Sequence, residues 1–217
     1  MNNGIESRNQ KQMSKSVSIE YFELDTIKTI LAFDALYDDD NIYLAAVLYD
    51  LATNNVIKSF FYFEECNIPY IPGLFGLREA SAILNFIKMS QIKFDIIFCD
   101  GHGLAHPDRF GLACRVGVES GIPTIGIAKN RLIGSYIEPD SIKGSYSFLY
   151  DNNEIIGSVV RTSDNIKPVF VSVGNKISLD LSINIVLNSC IGFRIPEPLR
   201  QADIHVRQYK KIHCHES

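Results

Sequence analysis

Asp34 interrupts the apolar run 30–36 (ILAFDAL), and Asp100 directly follows the apolar run 94–99 (FDIIFC). A carboxylate in apolar surroundings is costly unless a cation, a hydrogen-bond donor or a metal compensates it. Taken alone, Asp34 reads as a surface-facing alternate of a half-buried strand. Asp100 is more telling, because Gly101-His102-Gly103 follows it. Glycines let backbone come close to a ligand, and in an open α/β sheet ligands sit beyond the carboxyl ends of parallel strands. Glu79 stands at the start of a helical stretch after Pro72-Gly73, where attraction to a helix N-terminus would also account for it. Lys129 ends the apolar run 123–128 (PTIGIA) and would reach the same edge as Asp100.

Jointly these residues say more than any one of them. Two bare carboxylates about 4 Å apart repel by roughly 4 kcal/mol at an effective dielectric near 20. A divalent cation removes that repulsion, and oxygen-only donors select Mg²⁺ or Mn²⁺. Such a centre suits in-line displacement at phosphorus, with the metal polarising the phosphate and activating a water. His102 and His106 are a poor zinc pair, since Gly103 lies between them and Pro107 follows. His213-Cys214-His215 reads as a frayed terminus.

The elements that must position these groups are visible as a change of period. Residues 29–36, 42–51 and 56–63 are β-rich runs joined by short polar links, an antiparallel meander. Two prolines within 68–73 (IPYIPG) exclude regular structure there. Leu77, Ala80, Ile83, Leu84 and Ile87 recur at helical spacing, so a helix is expected over 77–90. Strands over 94–99 and 123–128 with a helix over 110–119 give the βαβ rhythm of a parallel sheet. Strands are expected over 146–150, 154–161 and 168–173, and helices over 178–188 and 198–211. The simplest organisation is a polar, disordered leader over 1–19, one α/β domain over 20–212 and a flexible tail over 213–217.

The 217 residues carry a net charge of −4, which argues against binding nucleic acid by bulk charge. The charge is uneven. Residues 20–50 hold eight acids and one base, whereas 194–217 hold five bases and three acids, so the C-terminal end is the better candidate for touching polyanions. No apolar run approaches a membrane span. Five cysteines and no apolar N-terminal segment read as free thiols in a reducing cytosol.

Four ordered blocks make the reading specific. They are Pro69-Tyr70-Ile71-Pro72-Gly73-Leu74 with Arg78-Glu79; Asp100-Gly101-His102-Gly103-Leu104-Ala105-His106-Pro107 with Arg109-Phe110-Gly111; Gly121 through Lys129; and Gly192-Phe193-Arg194-Ile195-Pro196-Glu197-Pro198 with Arg200 and Ala202-Asp203. Over residues 27–207 the chain closely resembles the endonuclease V family. The resemblance implies an α/β ribonuclease-H-like fold: a central mixed sheet, an antiparallel meander then parallel strands, flanked by helices. It implies a Mg²⁺-dependent phosphodiesterase, with Mn²⁺ able to substitute. Such an enzyme recognises inosine or deoxyinosine and cuts the second phosphodiester bond 3′ to it, leaving a 3′-hydroxyl and a 5′-phosphate. By position, Asp34, Glu79, Asp100 and Asp203 match the metal-site residues, and His106 and Lys129 match family active-site residues. Tyr70 matches the wedge that fills the gap left by an extruded base.

That wedge makes physical sense, since a base read at its edge must leave the stack at a cost of a few kcal/mol. Pro72 with Pro69 stiffens the loop, and backbone at Gly73, Gly76, Gly101 and Gly103 is expected to approach the hypoxanthine edge. Arg200, Arg207 and Lys211, at spacings of seven and four, can share one helical face that grips phosphates. Relatives commonly have Asp-Val-Ser-Tyr where this chain has Asp34-Ala35-Leu36-Tyr37. Three alternatives remain: an inosine-specific endoribonuclease, a catalytically silent nucleic-acid-binding module, and a Mg²⁺ phosphatase of small esters. The partner expected is nucleic acid and no membrane, with a monomer acting in the cytoplasm.

Overall fold

The computed structural model describes residues 10–21, 23–38, 41–65 and 75–215, and for 75, 77, 214 and 215 the backbone alone. Eight strands form one sheet: β1 (Thr29–Tyr37), β2 (Asn41–Asp50), β3 (Asn55–Glu65), β4 (Ile96–Cys99), β5 (Thr124–Ala128), β6 (Tyr146–Asp151), β7 (Glu154–Val160) and β8 (Val169–Asn175). Helices α1 (Phe75–Ser90), α2 (Leu112–Ser120), α3 (Leu179–Asn188) and α4 (Glu197–His215) flank it. The strand order is β3-β2-β1-β4-β5-β8-β7-β6. The expected antiparallel meander is β1–β3, and β1, β4 and β5 are mutually parallel. The sheet then reverses: β8 runs antiparallel to β5, and β6–β8 form a second meander. No crossover helix lies between β5 and β8, and parallel pairing requires such a crossover.

Alternation along β1 sorts its side chains onto two faces. Leu31 and Phe33 pack with Ile83 and Phe86 of α1 and Val116 of α2. Ile30 and Ala32 pack in the core that holds Leu181 and Ile185 of α3 and Leu199 of α4. Burying each large apolar side chain contributes about 1.5–3 kcal/mol. These contacts fix the register that carries Asp34. The period of two sends Asp34 to the second face, on which Val206 of α4 packs against Tyr43 and Ala45 of β2.

Several boundaries shift for local reasons. β4 begins at Ile96 because Asp95 turns its carboxylate to the N–H groups of Lys28 (2.9 Å) and Thr29 (2.8 Å). α2 ends where Gly121 takes φ +72°, a left-handed conformation that glycine adopts without strain. The segment read as a leader is partly docked: the Ser18 N–H donates to Asn175 Oδ1 (3.0 Å), and the Ser18 carbonyl accepts from the Lys176 N–H (2.7 Å). Residues 1–9 lie outside the described ones. The terminal helix also runs beyond 211, as the His213 ring packs on Tyr209 with centroids 4.4 Å apart. Cys99, Cys114 and Cys190 are free and buried, as expected of reduced thiols.

Candidate active site

β1 and β4 are parallel with Phe33 opposite Cys99, so Asp34 and Asp100 are the next residues along two neighbouring strands. Both carboxylates therefore emerge at the same sheet edge, on the face that α4 covers. Burial pushes the Asp34 carboxyl up to about 7, and the charges of Asp100 and Asp203 add to the rise. Lys129, one residue beyond β5, sets its ammonium 2.5 Å from Asp100 Oδ2. Burial alone would lower the Lys129 pKa, but the bond to Asp100 and the charges of Asp100, Asp34 and Asp203 raise it instead.

Glu79 reaches the same edge from the other side of the sheet. α1 starts at Phe75, so Glu79 lies beyond the first turn and the helix terminus does not account for it. It is 7% exposed, and its pKa is pushed up to about 8 by burial, then by the charges of Asp34 and Asp100. The Tyr37 hydroxyl donates to Glu79 Oε2 at 3.4 Å, which partly opposes that rise.

Asp203 completes the group from α4. Arg207, one turn further on, donates to Asp203 Oδ1 through Nη2 (2.7 Å) and Nε (2.9 Å). That pair, the larger influence, holds Asp203 below the usual carboxylate range. Asp34 and Asp203 share a side-chain hydrogen bond, so the proton between them stays on Asp34.

Four acids from β1, α1, the end of β4 and α4 thus converge, their repulsion relieved by the raised pKa values of Asp34 and Glu79 and by the Lys129 ammonium. The donor set, carboxylate oxygens only, fits a hard divalent cation. In the present arrangement the carboxylates turn to Lys129, Arg207 and each other, and among the described residues no three acidic, histidine or cysteine side chains are grouped as an ion cage.

The remaining expected residues fall into distinct places. His106 Nδ1 accepts from the Asp108 N–H (3.2 Å), and burial lowers the His106 pKa. Gly76 and Gly101 both face Leu112, where an added Cβ would come within 3.6 and 3.2 Å of it. Gly103 is tied into the fold rather than open to a ligand. Its N–H donates to Ser172 Oγ (2.8 Å), its carbonyl accepts from Gly111 (3.1 Å), and a Cβ there would lie 2.0 Å from the Val173 carbonyl oxygen. Arg200 is paired in bidentate fashion with Glu197 (2.7 Å for both bonds) and stacks on Phe193. Arg207 belongs to Asp203, and Lys211 is exposed. Tyr70, Pro72 and Gly73 lie outside the described residues.

Three supporting groups were not anticipated from sequence. Tyr37 bonds Glu79, as above. His102 Nε2 lies 3.1 Å from the Asn130 carbonyl, which can only accept, so Nε2 carries the proton and the buried Nδ1 is bare. Arg194 donates to the carbonyls of Lys129 and Pro168. His102 and Arg194 together brace the turn that presents the Lys129 ammonium. Tyr37 was within reach of sequence reasoning, three residues beyond Asp34; the two braces depend on tertiary placement.

Known proteins resemble this chain over nearly its whole length. The Endonuclease V family model matches residues 11–204. An Endonuclease V from Geotalea uraniireducens is 41% identical over 204 residues, covering 94% of this chain and 87% of the relative. The solved Endonuclease V of Streptomyces avermitilis superposes with a TM-score of 0.89 at 37% identity, covering 96% of this chain and 93% of that one. A Ciona intestinalis Endonuclease V, solved with DNA containing an inosine followed by a ribo-adenosine, gives 0.83 at 26% identity, covering 98% and 99%. No helix among the described residues is long and apolar enough to cross a membrane. The mixed α/β architecture is that of these relatives, and the chain belongs to the Endonuclease V family of nucleases.

Proposed function

We propose that this chain is a divalent-metal-dependent endonuclease acting at inosine. It recognises inosine or deoxyinosine in a strand and hydrolyses the second phosphodiester bond 3′ to it, leaving a 3′-hydroxyl and a 5′-phosphate. The observation that carries the reading is the convergence of Asp34, Glu79, Asp100 and Asp203 beside Lys129. These four carboxylates would hold Mg²⁺, or Mn²⁺ in its place. When bound, the cation supplies Lewis acidity to the phosphate and lowers the pKa of a water.

The chain's own residues supply the rest. Lys129, braced by Arg194 and His102, presents its ammonium to the charge that grows on the phosphate oxygens. His106 has its Nδ1 occupied by the Asp108 N–H, so the neutral ring carries its proton on Nε2 and offers it to the scissile phosphate. Glu79 and Asp34 must give up their protons for the cation, which ties activity to rising pH. Tyr70 wedges the gap left by the extruded base. Pro72, Gly73, Gly76 and Gly101 are assigned to recognition of the base, where room for the hypoxanthine edge without an amino group would discriminate against guanine.

The test is incubation with matched oligonucleotides carrying inosine, deoxyinosine, adenosine or guanosine, in Mg²⁺ and in EDTA, with the cut mapped. Cleavage one nucleotide beyond the inosine in Mg²⁺ alone is expected. Equal cutting of all four strands, or cutting in EDTA, would overturn the proposal. The Ciona relative was solved with a ribonucleotide directly after the inosine, which favours RNA as a second substrate. The relative rates on inosine and deoxyinosine decide between them. The proposal takes the chain as a monomer of the cytoplasm.

A further inference from the structure

Arg131, Lys167 and Arg194 line an open groove of about 760 Å³ that also includes Lys129. Four cations therefore face one depression that starts at the acid cluster. Glu138 is the single acid along it, and its carboxylate is engaged by Arg161 at 2.8 Å. Arg194 bonds only carbonyl oxygens among the described residues, and burial lowers its pKa. The Arg131 guanidinium lies over the Tyr136 ring, 5.8 Å from its centroid, and Lys167 is exposed. A guanidinium, a lysine and a second guanidinium, with the one lining carboxylate taken up by Arg161, form a surface built for an anion with several charges.

Three of the four cations of α4 are already engaged. Arg200 is committed to Glu197, Arg207 to Asp203, and Lys210 to the Tyr37 carbonyl. These three tie the helix to its own acids and to β1, whereas Lys211 is exposed.

We propose that the Arg131–Lys167–Arg194 groove carries the sugar–phosphate backbone of the bound strand on one side of the cut. The inference rests on the endonuclease reading above. A nucleic acid strand is the occupant because the groove is open along its length and continuous with Lys129, so a backbone held by Lys129 runs on into it. A free nucleotide would instead favour an enclosed cleft with an apolar wall for the base.

The test measures binding to a single-stranded oligonucleotide with one deoxyinosine, in Ca²⁺ rather than Mg²⁺, across a salt series. Each phosphate contact on a single strand adds about −0.7 to the slope of log affinity against log salt. Arg131→Ala with Lys167→Ala should therefore flatten the slope by about 1.4 and weaken binding roughly 25-fold at 0.1 M salt relative to 1 M. Both side chains are exposed, and an unchanged thermal midpoint checks the fold. A control, Lys28→Ala with Lys93→Ala, removes the same charge just before β1 and β4, at the opposite end of those strands. It should keep the wild-type slope. A wild-type slope in the groove variant, an equal flattening in the control, or no salt-dependent binding by the unaltered chain overturns the groove. Failure of the unaltered chain to cut the same strand in Mg²⁺ overturns the endonuclease reading instead.

Discussion

Asp34 and Asp203 share one hydrogen bond across the contact between β1 and α4, and its proton belongs to Asp34. The asymmetry comes from their neighbours. Asp203 is bonded twice by Arg207, whereas Asp34 is buried and faces Asp100. A strand and a helix distant in sequence are thus joined by a bond that exists in one protonation state and would give way to the cation proposed above.

Without a divalent cation, stability should fall as pH rises. The Asp34 carboxyl sits at about 7 against an ordinary 3.8, and Glu79 at about 8 against 4.5. Between these limits the folded chain keeps protons that the unfolded chain has released, so the free energy of unfolding decreases with pH. The contribution is whole below about pH 4 and gone above about pH 8. Thermal melts in EDTA across this range should slope downward, and added Mg²⁺ should flatten them. A level or rising profile in EDTA would show that these acids are not held protonated.

Asp34→Asn should separate stability from catalysis. The amide still donates to Asp203 and carries no charge to repel Asp100. The metal-free melting temperature at pH 8 should rise, while cleavage falls at least about a hundredfold. Asp100→Asn should lose cleavage without that gain, because it removes the partner of Lys129. Equal melting shifts in the two variants would contradict the assignment.

Gly103→Ala and Gly101→Ala should behave differently. At Gly103 the new carbon would lie 2.0 Å from a backbone oxygen of β8, which can move only with the sheet. Overpacking typically costs about 1–3 kcal/mol, and a backbone obstacle places this change at the upper end or beyond. At Gly101 the nearest atom, at 3.2 Å, is a Leu112 methyl that can turn aside. Chemical denaturation should find Gly101→Ala close to the unaltered chain and Gly103→Ala strongly destabilised.

Arg207→Ala should act through Asp203 rather than on phosphate. Without the guanidinium the Asp203 pKa rises, so the acidic limb of the cleavage profile moves to higher pH. The slope of log affinity against log salt should change by much less than the roughly 0.7 that a single phosphate ion pair contributes. Lys211→Ala, on the exposed side, should move neither quantity. If Arg207→Ala instead flattens the slope by that whole amount, this residue returns to the binding surface.

Much of this was written in the order of residue types. β-rich runs with short polar links placed β1–β3, the change to helical spacing marked α1, and an acid followed by Gly-His-Gly at the end of an apolar run marked Asp100, whereas Asp34, inside its run, gained weight only jointly with the others. Glu79 was ambiguous because the helix start, and so its distance from the N-terminus, depends on packing. The ion pairs of Arg200 and Arg207 are also legible: Glu197 stands three residues before Arg200 and Asp203 four before Arg207, spacings that favour such pairs. Arg194 and His102 bond backbone carbonyls brought to them by the turn after β5, and carbonyls have no sequence signature. The antiparallel placement of β8 likewise follows from two reversals of chain direction, which period alone does not order.

The central position of β1 also bears on how the chain acquires its structure. Its neighbours are β2, close in sequence, then β4, and finally α4 at the far end of the fold. Closing such distant contacts costs loop entropy before any burial offsets it, so proteins with this wiring fold slowly. On a growing chain the meander can form early, yet the face carrying Asp34 stays uncovered until the last helix is made. The four acids are complete only when the helix that supplies Asp203 docks over β1.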